Sequence, residues 1–147
     1  MTIVTPGLNH SRWDPGLVMF PYLDAERAWI LIHKGTVRCA VYCAAEVLDG
    51  NFRAWNFDLF AMIKQEMQII KSDGFECLIG GDLNGHVGND IDGIPNNLPH
   101  VNFNGTLIRD FGSSSNLRIV NADRLRCNGV FTRVTANSIS CLDYVLE

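Results

Sequence analysis

The sequence predicts an α/β layered domain. The chain has 147 residues, close to the size of one domain, and 47% of them are apolar, which is enough to build a core. Short apolar runs with the length of strands alternate with stretches in which apolar residues recur every three or four positions, as on one face of a helix. This alternation is typical of folds in which helices pack on a sheet.

Two strands joined by a tight turn are predicted in the first third of the chain. Ala28–Ile32 and Thr36–Tyr42 have the length and β-branched content of strands, and Lys34-Gly35 between them indicates a turn. The region before them, Met1–Tyr22, is rich in Pro and Gly and is predicted to be either irregular or to contain one short strand around Leu17–Phe20.

A helix over Asn56–Lys71 is predicted next. Its apolar residues fall at steps of three and four and form one face: Phe60, Ile63, Met67 and Ile70. Asn56 is the expected N-cap, with Asp58 as the alternative.

The strand Phe75–Gly80 runs into a Gly-rich polar loop, which is where α/β proteins usually place their sites. A long polar loop, Asn89–Asn104, separates it from a short helix around Leu107–Phe111, for which Asn104 is the candidate cap. Three more strands are predicted after this helix: Leu117–Val120, Gly129–Val134 and Ile139–Leu146.

Charge and cysteine content limit the functional classes. The net charge of −4 argues against binding to nucleic acid by bulk charge. Four arginines between Arg118 and Arg133 either meet phosphate groups or cover apolar surface as a solvated loop. The chain has no apolar run long enough for a membrane span, no recognisable secretory signal and an odd number of cysteines, five. We therefore expect an intracellular protein, nuclear or cytoplasmic, that is not secreted and not held in a membrane.

The densest group of candidate functional residues follows the strand Phe75–Gly80. Asp82 and Asn84 are two positions apart, so in an extended chain they point the same way, and His86 continues the alternation. Asp82 can then take a proton from an attacking water that Asn84 orients. The alternative is a turn whose Asp and Asn side chains bond their own backbone. A calcium loop is disfavoured, because Gly88 and Pro99 stand where the end ligands of an EF-hand belong.

Two further candidates lie on predicted strands. Asp143 is the one acid within an otherwise apolar stretch, where a carboxyl group is costly unless it is paired or has a function. Tyr42 ends the strand Thr36–Tyr42 and by itself is an ordinary strand tyrosine.

Taken in order, these segments resemble the endonuclease–exonuclease–phosphatase superfamily. The resemblance is greatest to the endonucleases of non-LTR retrotransposons and to craniofacial development protein 2-like proteins, and it covers roughly residues 27–147. The matching segments are the Val41-Tyr42 strand end, Gly80–Gly93 (GGDLNGHVGNDIDG), Asn104–Phe111 (NGTLIRDF), Asn116–Ala122 (NLRIVNA), Phe131–Arg133 (FTR) and Ser140–Leu146 (SCLDYVL).

The resemblance implies a fold, an activity and roles for single residues. The implied fold is a two-layer β-sandwich flanked by helices, and the implied activity is cleavage of a DNA phosphodiester with Mg²⁺ or Mn²⁺ as cofactor. The implied roles are these: Asp82 activates the attacking water, Asn84 contacts the phosphate or the metal site, Tyr42 contacts phosphate, and Asp143 orients a histidine. His86 and Arg133 are expected to contact the substrate.

The sequence departs from the family pattern in three ways. None of the 41 residues before Tyr42 reads as the family's metal-binding glutamate strand, since Glu26 stands beside Arg27 where the family has a different strand. The family's terminal Ser-Asp-His strand is not found, and Arg133 replaces a usual tryptophan. We therefore expect residues 1–147 to form one partial domain, incomplete at both ends, with little or no nuclease activity alone. The alternatives are a catalytically dead remnant that acts as a binding module and a phosphatase of the same superfamily.

Overall fold

The structure, a computed structural model, describes residues 10–12, 26–32, 35–46, 51–90, 99–123, 125, 132–136 and 139–147. Their secondary structure, in chain order, is β1 (His10–Arg12), β2 (Arg27–Ile32), β3 (Thr36–Tyr42), α1 (Asn51–Ser72), β4 (Glu76–Asp82), α2 (Phe103–Ser115), a 3-10 helix (Val120–Ala122), β5 (Arg133–Val134), β6 (Ile139–Ser140) and β7 (Asp143–Leu146). The predicted strand around Leu17–Phe20 lies outside the described residues, as do residues 91–98 of the long polar loop.

Five of the described strands form one mixed sheet in the order β1-β2-β3-β4-β7. The hairpin predicted between β2 and β3 is confirmed, since these strands are antiparallel and Ile32 is the partner of Thr36. β3 and β4 are parallel, and α1 makes the long crossover that such a pair requires. The predicted α/β class is confirmed by this arrangement.

The core lies between one face of the sheet and both helices. Val37, Cys39 and Val41 of β3 point into it together with Ile79 of β4, and the apolar stripe of α1 covers them. The four positions predicted for that stripe, from Phe60 to Ile70, are all buried. Within the described residues, no helix combines the length and the apolar character needed to cross a membrane.

Both helices begin at residues other than those predicted. α1 starts at Asn51, five residues before the expected cap, because Phe52 continues the buried stripe by another turn. Asn56 is therefore inside the helix, and its side chain bonds the backbone of Ala44 instead of a helix end. Asp58 is likewise inside α1 and is not its cap.

α2 is longer than the predicted helix, and its N-cap is Asn102 rather than Asn104. The side-chain oxygen of Asn102 accepts a hydrogen bond from the Gly105 N–H at 2.8 Å, and it also accepts one from the His86 N–H at 2.8 Å. Asn104 lies two residues further on and is fully buried.

The last third of the chain departs most from the predicted strands. Leu117–Val120 is not a strand; Ile119 makes an isolated bridge to Leu146, and a 3-10 helix follows. Ile139–Leu146 is divided between β6, which pairs with β5, and β7, which pairs with β4. The break is explained by Thr132, whose hydroxyl oxygen accepts hydrogen bonds from the N–H groups of Leu142 and Asp143. Of the strand predicted over Gly129–Val134, only Arg133–Val134 is a described strand, and residues 129–131 lie outside the described part.

We expect Asn102→Ala to lower the free energy of unfolding by about 0.5–2 kcal/mol, because it removes the cap of α2. The same change removes the bond to the His86 N–H, which places the value in the upper half of that range. Urea unfolding measures the loss. Asn102→Asp is the matched control, because it keeps an oxygen acceptor at the same place; equal losses in the two variants would contradict the capping role.

Candidate functional site

Tyr42, Asp82 and Asp143 lie side by side at one end of three neighbouring strands. Tyr42 of β3 is the register partner of Asp82 of β4, and Asp82 is in turn the partner of Asp143 of β7. We call these three residues the row. Adjacent strands are about 4.8 Å apart, so the row spans roughly 10 Å. Three of the residues that the sequence suggested for catalysis are therefore neighbours in the fold.

The row faces away from the helices. Side chains alternate between the two faces of a strand. Val41 and Tyr144, which adjoin Tyr42 and Asp143 in the chain, are 5% and 1% exposed and belong to the core on the helical side. The row consequently occupies the opposite face of the sheet, where Tyr42 is 49% exposed and accessible to a ligand.

The pKa of the Asp82 carboxyl group is raised above its ordinary value. Partial burial raises its pKa, and the negative charge of Asp143 raises it further. The N–H of Asn84, which donates to Asp82 Oδ1 at 3.1 Å, and the nearby charge of Arg133 act in the opposite direction, but the net shift is upward. A carboxyl group with a raised pKa is a stronger base when ionised, as the abstraction of a proton from water requires.

Asn84 does not share a face with Asp82 in the way the extended chain predicts. β4 ends at Asp82, and Asn84 has a left-handed backbone with φ of 46°, so the alternation stops before it. The bond from its N–H to Asp82 closes the self-bonded turn that was the alternative interpretation of this loop. Its side-chain amide donates to the Cys43 carbonyl at 2.9 Å and ties the loop to the end of β3. Asn84 thus remains beside the row, held by the side chain of Asp82 and by the carbonyl of Cys43, the residue after β3.

Asp143 is held by two residues to which the sequence analysis gave no role. Thr132 accepts from its N–H at 3.1 Å, and the amide of Asn121 donates to its carbonyl at 3.1 Å. The oxygen of Asn121 also accepts from the N–H of Val145 at 2.8 Å. The only sequence signal for either residue is its place in a segment that resembles the family, Thr132 in FTR and Asn121 in NLRIVNA.

Arg133 and His86 occupy different surroundings. Arg133 is exposed at the start of β5, and its positive charge lies close enough to Asp82 to favour the ionised carboxylate. The ring of His86 instead packs against the ring of His100, with centroids 5.2 Å apart. The backbone N–H of His86 donates to the side-chain oxygen of Asn102, the N-cap of α2. Arg133 therefore lies near the row, whereas the described contacts of His86 tie it to α2.

The donor set near the row suits a weakly held divalent cation. No group of three or more His, Cys, Asp or Glu side chains in the described part of the chain is placed to hold a metal ion. Mg²⁺, however, is commonly bound by one or two carboxylates, with water and substrate phosphate completing its shell. Asp82 and Asp143 provide two, and their mutual repulsion is relieved by a cation between them. The chemistry of these two carboxylates is therefore suited to Mg²⁺ or Mn²⁺.

The raised pKa of Asp82 predicts a dependence of stability on pH. A carboxyl group whose pKa is higher in the folded chain favours folding when protonated, so its contribution is lost as the pH rises through the folded pKa. We expect Asp82→Asn to have the higher melting temperature at pH 7. The gap between this variant and the wild type should narrow as the pH falls toward about 4, the ordinary value for Asp. Thermal melts across this range measure it, and a gap that does not change with pH would contradict the interpretation.

Comparisons of the chain with known protein families and with curated protein sequences gave no significant match.

Proposed function

We propose that this chain forms part of a metal-dependent phosphodiesterase domain of the endonuclease–exonuclease–phosphatase type, and that the substrate is DNA, as for a retrotransposon endonuclease. The observation that supports this most directly is the row of Tyr42, Asp82 and Asp143 across three adjacent strands. Asp82 is 40 positions from Tyr42 and 61 positions from Asp143 in the chain, and the three residues follow one another in the order that the family resemblance implies.

The side chains of the row have the chemistry that attack on a phosphodiester needs. Asp82 accepts the proton of the attacking water. The exposed hydroxyl of Tyr42 donates to a phosphate oxygen, and the guanidinium of Arg133 adds positive charge on the same side. Mg²⁺ or Mn²⁺, held by Asp82 and Asp143, would neutralise charge on the phosphate.

Partly exposed apolar residues on the face of the sheet opposite the helices support the sandwich type of fold. Ile30, Leu78 and Val145 lie on the face opposite the helices and are only half-buried by the described residues. A second sheet on this face would complete their burial and form the two-layer β-sandwich that the resemblance implies.

A catalytically dead remnant that acts as a binding module is the second candidate. The observation that favours it is the lack of a third metal-ligating side chain beside Asp82 and Asp143 among the described residues. Titration with Mn²⁺ distinguishes the two candidates. If the site binds metal, the melting temperature of the wild type rises with increasing Mn²⁺, and Asp82→Ala abolishes this rise. If the chain is a remnant, the melting temperature rises neither in the wild type nor in Asp82→Ala.

The test of the proposed activity is relaxation of supercoiled plasmid. The chain and a version extended beyond both of its ends are incubated with Mg²⁺ and, in parallel, with a chelator. Nicking that requires Mg²⁺ and that increases in the extended version supports the proposal. Nicking that persists in the chelator, or that is absent from both versions, contradicts it.

A further inference from the structure

Two buried asparagines connect the parts of the chain that carry the row. Asn56, in α1, is 2% exposed, and Asn104, in α2, is fully buried. The amide of Asn56 donates to the side-chain oxygen of Asn104 at 2.8 Å, although the two residues are 48 positions apart in sequence. An amide group buried in this way is costly unless its hydrogen bonds are made, and each of these side chains makes several.

Asn56 holds the segment that follows β3. Its oxygen accepts from the Ala44 N–H at 3.0 Å, and its amide donates to the Ala44 carbonyl at 2.8 Å. Both backbone groups of a residue only two positions beyond Tyr42 are thereby fixed to the first turns of α1.

Asn104 holds the loop that follows β4. Its amide faces three carbonyl oxygens, those of Ala44 at 3.0 Å and of Leu83 and Asn84 at 3.3 Å. One side chain thus binds both loops at the row, and it bonds the carbonyl of Asn84, the residue whose N–H bonds Asp82. Asn84 has a left-handed backbone, which is sparsely populated by residues other than glycine and persists where its surroundings hold it.

We propose that Asn104, supported by Asn56, is a positioning residue of this site: it holds Asn84 in its left-handed conformation and keeps the ends of β3 and β4 in register for the reaction. Neither asparagine belongs to the row. Asn104 acts through the backbone carbonyls of Ala44, Leu83 and Asn84, and Asn56 acts through the backbone of Ala44 and through Asn104. The proposal rests on the proposed function for its catalytic consequence, whereas its geometric part can be tested without catalysis.

The first measurement is amide hydrogen exchange in the chain itself. Asn104→Ala should accelerate exchange of the Asn84 N–H by at least about tenfold relative to amides in the middle of α1, because the loop then opens without global unfolding. Asn56→Ala is the milder variant and should act in the same direction, since Asn104 keeps its own three acceptors. The matched control is Ile70→Val or Ile70→Ala, whichever has the same melting temperature as Asn104→Ala, because Ile70 is fully buried at the far end of α1.

The second measurement concerns the site. Asn104→Ala should weaken Mn²⁺ binding to the chain by about 10–100-fold, the usual effect of removing a residue that orients a ligand. In the version extended at both ends it should lower kcat for Mg²⁺-dependent nicking by a similar factor. KM for the plasmid should change less than kcat, and the Ile70 control should leave both near the wild-type values.

The outcomes separate the two proposals. Equal acceleration of Asn84 exchange in Asn104→Ala and in the Ile70 control would overturn the positioning role, because the effect would then be one of general stability. Failure of the wild type to bind Mn²⁺, or of the version extended at both ends to nick DNA, would overturn the proposed function alone, because the exchange comparison decides the positioning role independently.

Discussion

Asp82→Ala is expected to reduce Mg²⁺-dependent nicking by at least about 10²–10³-fold, the range found when one preorganised group that stabilises the transition state is removed. The reason is that Asp82 is the central residue of the row, with Tyr42 beside it on β3 and Asp143 on β7. The measurement is the initial rate of plasmid relaxation in the version of the chain extended at both ends, in which we expect the higher activity.

Two controls make this result specific. Asp90→Ala removes a carboxylate of the same loop region that is exposed and paired with Arg109 at 2.7 Å, so it should leave the rate nearly unchanged. Circular dichroism and thermal melts show whether Asp82→Ala remains folded. An unchanged rate in folded Asp82→Ala would mean that Asp82 has no role as a base.

Glu66→Gln is expected to lower the free energy of unfolding by about 3–5 kcal/mol, the cost of breaking a buried ion pair on one side. The carboxylate of Glu66 is fully buried and binds the guanidinium of Arg27, whose side chain is only 7% exposed. It also accepts a hydrogen bond from the indole N–H of Trp29 at 2.6 Å. Urea denaturation measures the loss, which is a large part of the roughly 5–15 kcal/mol that keeps a domain folded.

A double-mutant cycle shows whether the loss belongs to the pair. Arg27→Met combined with Glu66→Leu removes both charges and fills the same space. The double variant should therefore lose less free energy of unfolding than Arg27→Met alone or Glu66→Leu alone. Additive losses would show that the pair is not coupled and would contradict this explanation.

Local periodicity was sufficient to predict the elements whose side chains follow a simple alternation. β3 has the bounds Thr36–Tyr42 that the sequence indicates, and the apolar stripe of α1 was predicted at four positions that are buried. Glu66 and Asn56 lie on the same buried side of α1, but a polar residue in a helical stripe reads as solvent-facing. Their partners, Arg27 and Asn104, are 39 and 48 positions away, so no local pattern reveals them.

The candidate site was predicted in part for the same reason. Tyr42, Asp82 and Asp143 stand at strand ends, and the order of the motifs indicated that these ends meet. The backbone of Asn84 was not predictable from alternation, because it depends on bonds from both sides of the loop. The break between β6 and β7 depends likewise on the hydroxyl of Thr132, which lies ten positions from Leu142.

The position of Asp82 also has a consequence for the assembly of the sheet. If β4 shifted by one residue along β3, its two faces would be exchanged, and Asp82 would enter the apolar layer beneath α1 while Gly81 took its place outside. A carboxylate in that layer would lose its hydration without a partner, so the shifted pairing is penalised. The glycines next to it have no side chain with which to distinguish the two faces. Asp82 therefore favours the outer side of β4, so one carboxyl group contributes both to the pairing of the central strands and to the chemistry that we propose at their ends.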